Sequence, residues 1–302
     1  MIRYKKLGYI AFDVTDLEES ARFYTEIVGL TLTSLDPGHM ATFSCDGSHH
    51  CIALYQASAA GLRRIAYELE DDAQLANVRR ALAGAKVASR EVAPTELSSL
   101  RIGTALRFGD DNGVEIEMYG GMQARPDGPL ENPAGLRRLS HVVLFVPNLK
   151  KTLAFYESVL NFKVSDVRHK DDGHVYFAYL RCFPNPYHHS FAIVETPELR
   201  YFHTAFSIDS LDALMRRRNY LVRKQVVVAP TPGRHKASGS IFQYFSDPDG
   251  LTLEYTLGME EFPEVGARGP RSLDAKPSTS DMWEGMRADN LPNVGTIVRI
   301  DG

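Results

Sequence analysis

Two stretches of this chain read as versions of one another, and that internal match constrains the fold more than any other feature. Asp16 to Thr31 is DLEESARFYTEIVGLT, and Asn148 to Lys163 is NLKKTLAFYESVLNFK. In each, a capping residue (Asp16, Asn148) opens a helix with apolar residues at helical spacing and Phe-Tyr in its middle. An apolar strand precedes each helix, LGYIAFDV at Leu7 to Val14 and LSHVVLFV at Leu139 to Val146. The correspondence then runs on in order. SHHCIALY (48–55) answers YHHSFAIV (187–194), LRRIAYELEDDAQL (62–75) answers LRYFHTAFSIDSLDAL (199–214), and DDNGVEIEM (110–118) answers DPDGLTLEY (247–255). Ordered self-similarity of this kind means duplication, and 302 residues leave room for two domains of ordinary size.

Each copy reads as β-α-β-β-β followed by strand, helix and two or three further strands, an α+β plan. The division expected is a first domain over 1–122, a linker over 123–136 rich in Pro and Gly (QARPDGPLENPAG), a second domain over 137–258, and a tail over 259–302. The tail has few apolar residues to bury and holds the single tryptophan, Trp283; it reads as a partly ordered segment or a lid over a site in the second copy.

A net charge of -4 supplies no basic stripe for nucleic acid and no polybasic membrane anchor, so the partner expected is a small molecule. No apolar run is long enough to span a bilayer and the N-terminus lacks the sections of a signal peptide, which points to the cytoplasm. Cys45, Cys51 and Cys182 form no C-x-x-C pair and read as small core residues.

The chemistry lies where the copies differ. His141 stands where the first copy has Tyr9, and His203 where it has Ala66, while a glutamate occurs in both, as Glu117 and Glu254. Gly239 to Leu257, GSIFQYFSDPDGLTLEYTL, reads as a β-hairpin turning at Asp-Pro-Asp-Gly, with Thr252, Glu254 and Thr256 on one strand face and Tyr244 across the turn. Strict alternation gives His203 the company of Tyr201, Ala205 and Ser207, and sets Phe202, Thr204, Phe206 and Ile208 on the apolar face. Taken singly, a strand histidine is a satisfied core residue and a strand glutamate a solvated one. Taken together, two imidazoles and one carboxylate on three strands make a facial triad, which holds a divalent ion and leaves adjacent coordination positions open.

Gly233 to Glu254, GRHKASGSIFQYFSDPDGLTLE, resembles the signature of the type I, two-domain extradiol ring-cleaving dioxygenases of the vicinal oxygen chelate superfamily: Gly-x-His, a spacer, an apolar residue, Tyr, x-x, an acidic residue, Pro, x, Gly and a final Glu. The resemblance covers nearly all of the chain up to Gly258, with Gln243 standing where an apolar residue is usual. It implies duplicated βαβββ modules, four in two domains, whose sheets curl around a cavity with metal in the C-terminal domain alone. It implies that His141, His203 and Glu254 hold Fe(II), with Mn(II) the minority choice. It implies also that His189 is the acid–base residue, and that His235 and Tyr244 contact substrate or oxygen. His189 is chosen over its neighbour His188 because the apolar run SFAIV then starts in the family's register; His49 and His50 of the first copy read as structural.

The reaction so implied is cleavage of a substituted catechol by O2, giving a ring-opened muconic semialdehyde-type product. His189 would take a catechol proton, Tyr244 would hold a hydrogen bond to a substrate oxygen, and His235 would stabilise developing negative charge. Relatives commonly form symmetric homo-oligomers. Two other readings stand beside it: a glyoxalase- or epimerase-like metalloenzyme, which typically surrounds its metal with four protein ligands, and a metal-free protein binding aromatic compounds. Arg234, beside His235, reads as solvated rather than as a partner for a substrate carboxylate.

Overall fold

The computed structural model describes residues 1–125, 132 and 134–300; of the expected linker, 126–131 and 133 lie outside the described residues. The first copy runs β1 (Tyr4–Val14), α1 (Leu17–Arg22) continuing into a π-helical stretch (Phe23–Val28), β2 (Thr31–Asp36), β3 (Met40–Ser44) and β4 (Ile52–Gln56). It goes on through β5 (Gly61–Leu69), α2 (Gln74–Gly84), β6 (Ser89–Glu91), α3 (Pro94–Leu100), β7 (Thr104–Gly109) and β8 (Glu115–Gly120). The second runs β9 (Leu136–Val146), α4 (Leu149–Ser158), β10 (Phe162–His169), β11 (Val175–Cys182), β12 (Phe191–Glu195), β13 (Arg200–Ile208), α5 (Leu211–Arg223), β14 (Gly233–Arg234), β15 (Ile241–Ser246) and β16 (Thr252–Leu257). Each copy is thus two βαβββ units, the first with an added helix, α3.

The caps read from sequence are in place. Asp16 accepts a hydrogen bond from the Glu19 N–H and Asn148 one from the Lys151 N–H, each satisfying a donor that the first helical turn cannot. The turn read at Asp-Pro-Asp-Gly needs a left-handed residue, which Gly250 (φ 84°) supplies, and Gly113 (φ 81°) does the same at the matching place in the first copy.

One sheet has the order β2-β3-β4-β1-β5-β8-β7-β6; the other has β14-β15-β16-β13-β9-β12-β11-β10 and then one more strand, β17 (Arg271–Leu273). Read in opposite directions the two orders coincide, strand for strand, apart from that addition. In both sheets the central pair is antiparallel (β1 with β5, β9 with β13), and each central strand has a parallel neighbour (β4 and β8, β12 and β16). The helix-covered faces share one continuous apolar core that crosses from copy to copy; Tyr4 of the first packs edge-on against Phe162 of the second, ring centroids 5.1 Å apart. The opposite faces carry smaller separate clusters, around Tyr9, Ala66 and Tyr119 in the first copy and around Val143, Tyr179 and Ala192 and around Phe242 and Tyr244 in the second.

Two expectations change. The alternation read along β13 holds from His203 onward and breaks before it, because the pairing with β9 shifts register between Tyr201 and His203. Such a bulge turns two successive side chains the same way. Tyr201 therefore joins the helix-side core, its hydroxyl donating to the Thr252 carbonyl at 2.7 Å, while Phe202 packs with Val143 and Tyr179 on the site face. The tail, for its part, is built into the fold. Phe262 and Leu291 are buried, β17 pairs parallel with β10, and α6 (Pro277–Ser280) follows. The chain then returns across both copies, the Tyr201 N–H donating to Gly295 O and the Leu62 N–H to Thr296 O, each at 2.9 Å.

All three cysteines are free and buried, as expected.

Candidate metal centre

Three neighbouring strands of the second sheet bring the differing residues together. His141 on β9 and Glu254 on β16 both pair with Ala205 of β13, and His203 sits two residues before Ala205 on the same face. Their tips converge: His141 Nε2 is 3.2 Å from His203 Nε2, and Glu254 Oε2 is 3.0 Å from His203 Nε2 and 3.6 Å from His141 Nε2. All three side chains are buried. Three donors bound at right angles, about 2.1 Å from one centre, lie about 3.0 Å apart, so the triangle has the size that a single divalent ion requires.

Electrostatics argue for the same ion. Glu254 is wholly buried and neither of its carboxylate oxygens accepts a hydrogen bond. Burial pushes its carboxyl up, yet His141 and His203 hold it well below the ordinary carboxylate range, so it is an anion. Burial holds His141 down to about 4, and its Nδ1 meets Ser140 Oγ at 3.1 Å, which orients the ring with Nε2 toward the other two residues. A buried, unpaired carboxylate costs several kcal/mol unless a cation meets it.

The first copy makes the contrast. Tyr9, Arg64 and Glu117 occupy the matching positions: Arg64 pairs with Ala11 as His203 does with Val143, whereas Ala66, set against His203 in the sequence reading, pairs with Tyr9 and Glu117 as Ala205 does with His141 and Glu254. There both glutamate oxygens are bonded: Tyr9 Oη donates to Oε1 at 2.8 Å and Arg107 Nε to Oε2 at 2.6 Å, with Arg64 Nη1 also near Oε2 at 3.3 Å. Two buried guanidiniums there neutralise what the second copy leaves open.

The remaining sequence-derived residues lie around the triad. The hairpin pairs Tyr244 directly opposite Glu254, with the Tyr244 ring 5.0 Å from that of His203. Burial, reinforced by Glu254, pushes the Tyr244 phenol up, so it keeps its proton. His235 stacks on Phe242 with ring centroids 4.0 Å apart, and its Nδ1 donates to the Ser280 carbonyl at 2.6 Å. Its Nε2, 3.4 Å from Tyr244 Oη, is then a lone pair in the neutral ring that burial favours. A neutral His235 is thus an acceptor at that atom, whereas stabilising a negative charge there would need a second proton. His189 precedes β12, its ring 4.2 Å from that of His141, and burial with the neighbouring imidazoles holds it well below the ordinary histidine value. All six residues meet at one place. Arg234 is exposed, as expected, and Gln243, the departure from the signature, is buried with its amide donating to Ala229 O at 3.0 Å.

A second convergence was not legible from motifs. Asp166, His188 and Glu260 also bring potential metal ligands together. Two guanidiniums already fill that group: Arg268 bonds Asp166 Oδ1 at 2.9 Å and Glu260 Oε2 at 2.6 Å, and Arg271 bonds Asp166 Oδ2 at 2.6 Å and Glu260 Oε2 at 3.2 Å. Its one sequence trace was the doubled histidine, since His188 touches Asp166 on one side and His189 on the other.

Comparison with known proteins agrees with this architecture. The model of the Glyoxalase/Bleomycin resistance protein/Dioxygenase superfamily matches residues 6–118 and 138–255, once per copy. The biphenyl-2,3-diol 1,2-dioxygenase of Metapseudomonas furukawaii is 31% identical over 264 residues, 83% of this chain and 85% of that protein. An iron-dependent extradiol dioxygenase of Rhodococcus jostii (strain RHA1) is 25% identical over 266 residues, 83% of this chain and 88% of that protein. The crystal structure of the Mn(II)-bound glyoxalase from Novosphingobium aromaticivorans superposes with a TM-score of 0.86 at 27% identity, covering 97% of this chain and 95% of that one. The chain, with the family's model matched once in each of its two copies, belongs to the Glyoxalase/Bleomycin resistance protein/Dioxygenase superfamily.

Proposed function

We propose that this chain is an extradiol dioxygenase, cleaving a substituted catechol with O2 at an Fe(II) held by His141, His203 and Glu254. The observation that carries the reading is the buried Glu254 carboxylate, without a hydrogen bond at either oxygen and closed on by two imidazole nitrogens. The names of relatives support the substrate class and the metal, since one acts on biphenyl-2,3-diol and another is iron-dependent. Above the triad the site face is apolar and aromatic, with Val143, Phe177, Tyr179, Ala192, Phe202 and Leu273, which suits an aromatic ring bearing an uncharged substituent.

When bound, the metal supplies one centre at which a deprotonated catechol and O2 lie side by side and exchange electrons. The protein's own groups do the rest. His189, neutral because it is buried, takes the proton a catechol hydroxyl must lose. Tyr244 donates from its retained phenol proton to a substrate oxygen. His235 accepts from the second hydroxyl through Nε2, in place of the anion-stabilising role expected from sequence, which leaves the Tyr244 proton to the substrate oxygen. The tail supports this side of the site through Ser280, and we assign it the part of a cover. We assign 1–122 and 137–258 as the two domains, with metal in the second only, and the protein as a cytoplasmic, symmetric homo-oligomer. No described helix is long and apolar enough to cross a membrane.

One observation favours a second reading: the Mn(II)-bound glyoxalase shares the fold closely. Against it, no fourth ligand joins the triad among the described residues. Metal analysis with oxygen uptake on catechol, 3-methylcatechol, biphenyl-2,3-diol and 1,2-dihydroxynaphthalene separates the possibilities. One iron per chain with O2 consumed one-to-one with catechol is expected. Bound metal without uptake would favour the glyoxalase-like reading, and no metal would leave an aromatic-binding protein.

A further inference from the structure

We propose that Asp166 and His188 are positioning residues that fix which ring nitrogen of His189 carries the hydrogen, leaving His189 Nε2 bare toward the site. The inference rests on the reading of His189 as the acid–base residue and adds to it what prepares that residue.

The chain of contacts has one consistent set of protons. Asp166 is bonded by Arg268, by the Arg271 side chain and by the Arg271 backbone N–H at 2.8 Å, so its carboxylate only accepts. His188 Nε2, 2.8 Å from Asp166 Oδ2, must therefore donate. Charge decides the other nitrogen. Around His188 lie two carboxylates, Asp166 and Glu260, and two guanidiniums, Arg268 and Arg271, which already balance. Arg181 adds further positive charge, its guanidinium 4.7 Å from the centre of the Phe262 ring that also packs on His188. No net negative charge is left for an imidazolium, and burial of His188 points the same way. A neutral His188 protonated at Nε2 has a lone pair at Nδ1. That atom lies 3.1 Å from His189 Nδ1, which must then carry the hydrogen and donate. The opposite ring nitrogen of His189 is left unprotonated, as a general base requires.

The first copy supplies an internal comparison. His49 and His50 repeat the pair almost unchanged, Nδ1 to Nδ1 at 3.2 Å and rings at 87°, against 87° for His188 and His189. Among the described residues no carboxylate bonds His49, and His50 Nε2 has no partner. The paired rings belong to the fold; the carboxylate anchor occurs only in the copy that carries the ligand triad. It also gives the tail a second task, since Arg268 and Arg271 both come from it.

Two measurements test this. In metal-free, 15N-labelled wild-type protein, long-range 1H–15N correlation of the histidine rings should find His189 protonated at Nδ1 and bare at Nε2, with the resonances assigned by their loss in His189→Gln. A hydrogen on Nε2 overturns the proposal. In the metal-loaded protein, His188→Asn keeps an amide oxygen close to the position of Nδ1, whereas His188→Phe removes the acceptor. With 3-methylcatechol as probe, His188→Phe should lose at least about tenfold in kcat, with KM within about twofold and metal content kept, and His188→Asn should recover most of that loss. Equal kcat in the two variants, or an unchanged His189 tautomer in His188→Phe, overturns it. Should His188→Phe fail to fold, the wild-type spectrum decides alone. Full turnover by His189→Ala would remove His189 from the chemistry and leave the tautomer result standing, so the two failures are distinguishable.

Discussion

The phenol of Tyr24, in the helical segment of the first copy, donates to the carboxyl of Asp247, in the turn of the second copy's hairpin, at 3.1 Å. Its mate is Tyr156, which donates from the second copy to Asp110 in the first, also at 3.1 Å. These are the Phe-Tyr tyrosines and the Asp-x-x-Gly aspartates of the repeat, so the duplicated motif is also the clasp between its copies. On one side the clasp holds the hairpin that carries Tyr244 and Glu254.

Both aspartates make stability depend on pH. Burial pushes Asp110 and Asp247 each up to about 7, against the pull of the backbone N–H bonds they accept. A carboxyl raised in the fold binds a proton that the unfolded chain, near 3.9, has released. Its contribution is complete below about pH 4 and lost as pH rises through about 7, on the order of 4 kcal/mol for each group. Wild type should therefore lose urea resistance from pH 5 to 8 relative to the Asp110→Asn/Asp247→Asn double variant. Parallel curves for the two proteins over that window would count against the assignment. Asp166 and Glu254, both held low, titrate below this range and do not confuse it.

The two matched glutamates should respond with opposite signs. Glu117→Gln removes the carboxylate between Arg64 and Arg107, which keep Glu115 and Glu96, and should destabilise by about 1.5–3 kcal/mol, the worth of a hydrogen bond to a charged group, with metal content unchanged. Glu254→Gln removes a buried charge that nothing bonds in the metal-free protein, which should melt no lower than metal-free wild type while losing metal affinity. Calorimetry on the metal-free proteins, with metal analysis after reconstitution, reads both. A fall in the melting temperature of metal-free Glu254→Gln would mean that the carboxylate is satisfied without an ion.

Sequence carried the duplication, the caps, the hairpin and the three side chains that converge at His141, His203 and Glu254, because these rest on local periodicity and on a comparison that the chain makes with itself. His141 became visible as a departure from Tyr9, while counting along the strand set His203 against Ala66 where the register sets it against Arg64, an offset that the bulge before His203 conceals. What stayed hidden depends on pairing between distant segments. The bulge that sends Phe202 to the site face comes from the register of β13 on β9, and alternation along one strand cannot report it. The tail looked too polar to pack, yet its arginines act as partners for Asp166 and Glu260 rather than as solvated charges. Asp166, His188 and Arg271 meet only because β17 adds beside β10, and no spacing rule relates those positions.

Metal binding should stabilise the fold through the triad and through nothing else. Ion present at a hundred times its dissociation constant adds about 2.7 kcal/mol when only the folded state binds it. Fe(II), or Mn(II) as an oxygen-stable probe, should thus raise the melting temperature of wild type and leave that of His203→Ala unmoved. A facial triad has no spare ligand, so ring cleavage should vanish in the same variant. His203→Ala protein that kept a full equivalent of metal would remove His203 from the site.

His189→Ala should separate binding from chemistry. The ring touches His141 but is not among the atoms that converge on the ion position, so metal content should stay at wild-type level. Turnover should fall by about 10²–10⁴-fold, the usual worth of a positioned general base. Without that base the substrate must ionise in water, and the residual rate of the variant should climb with pH until the catechol deprotonates unaided, a dependence that wild type, with its base neutral from lower pH, should not share. Oxygen uptake from pH 6 to 10 on both proteins measures the difference. Equal slopes in the two profiles would mean that the catechol proton leaves by another route.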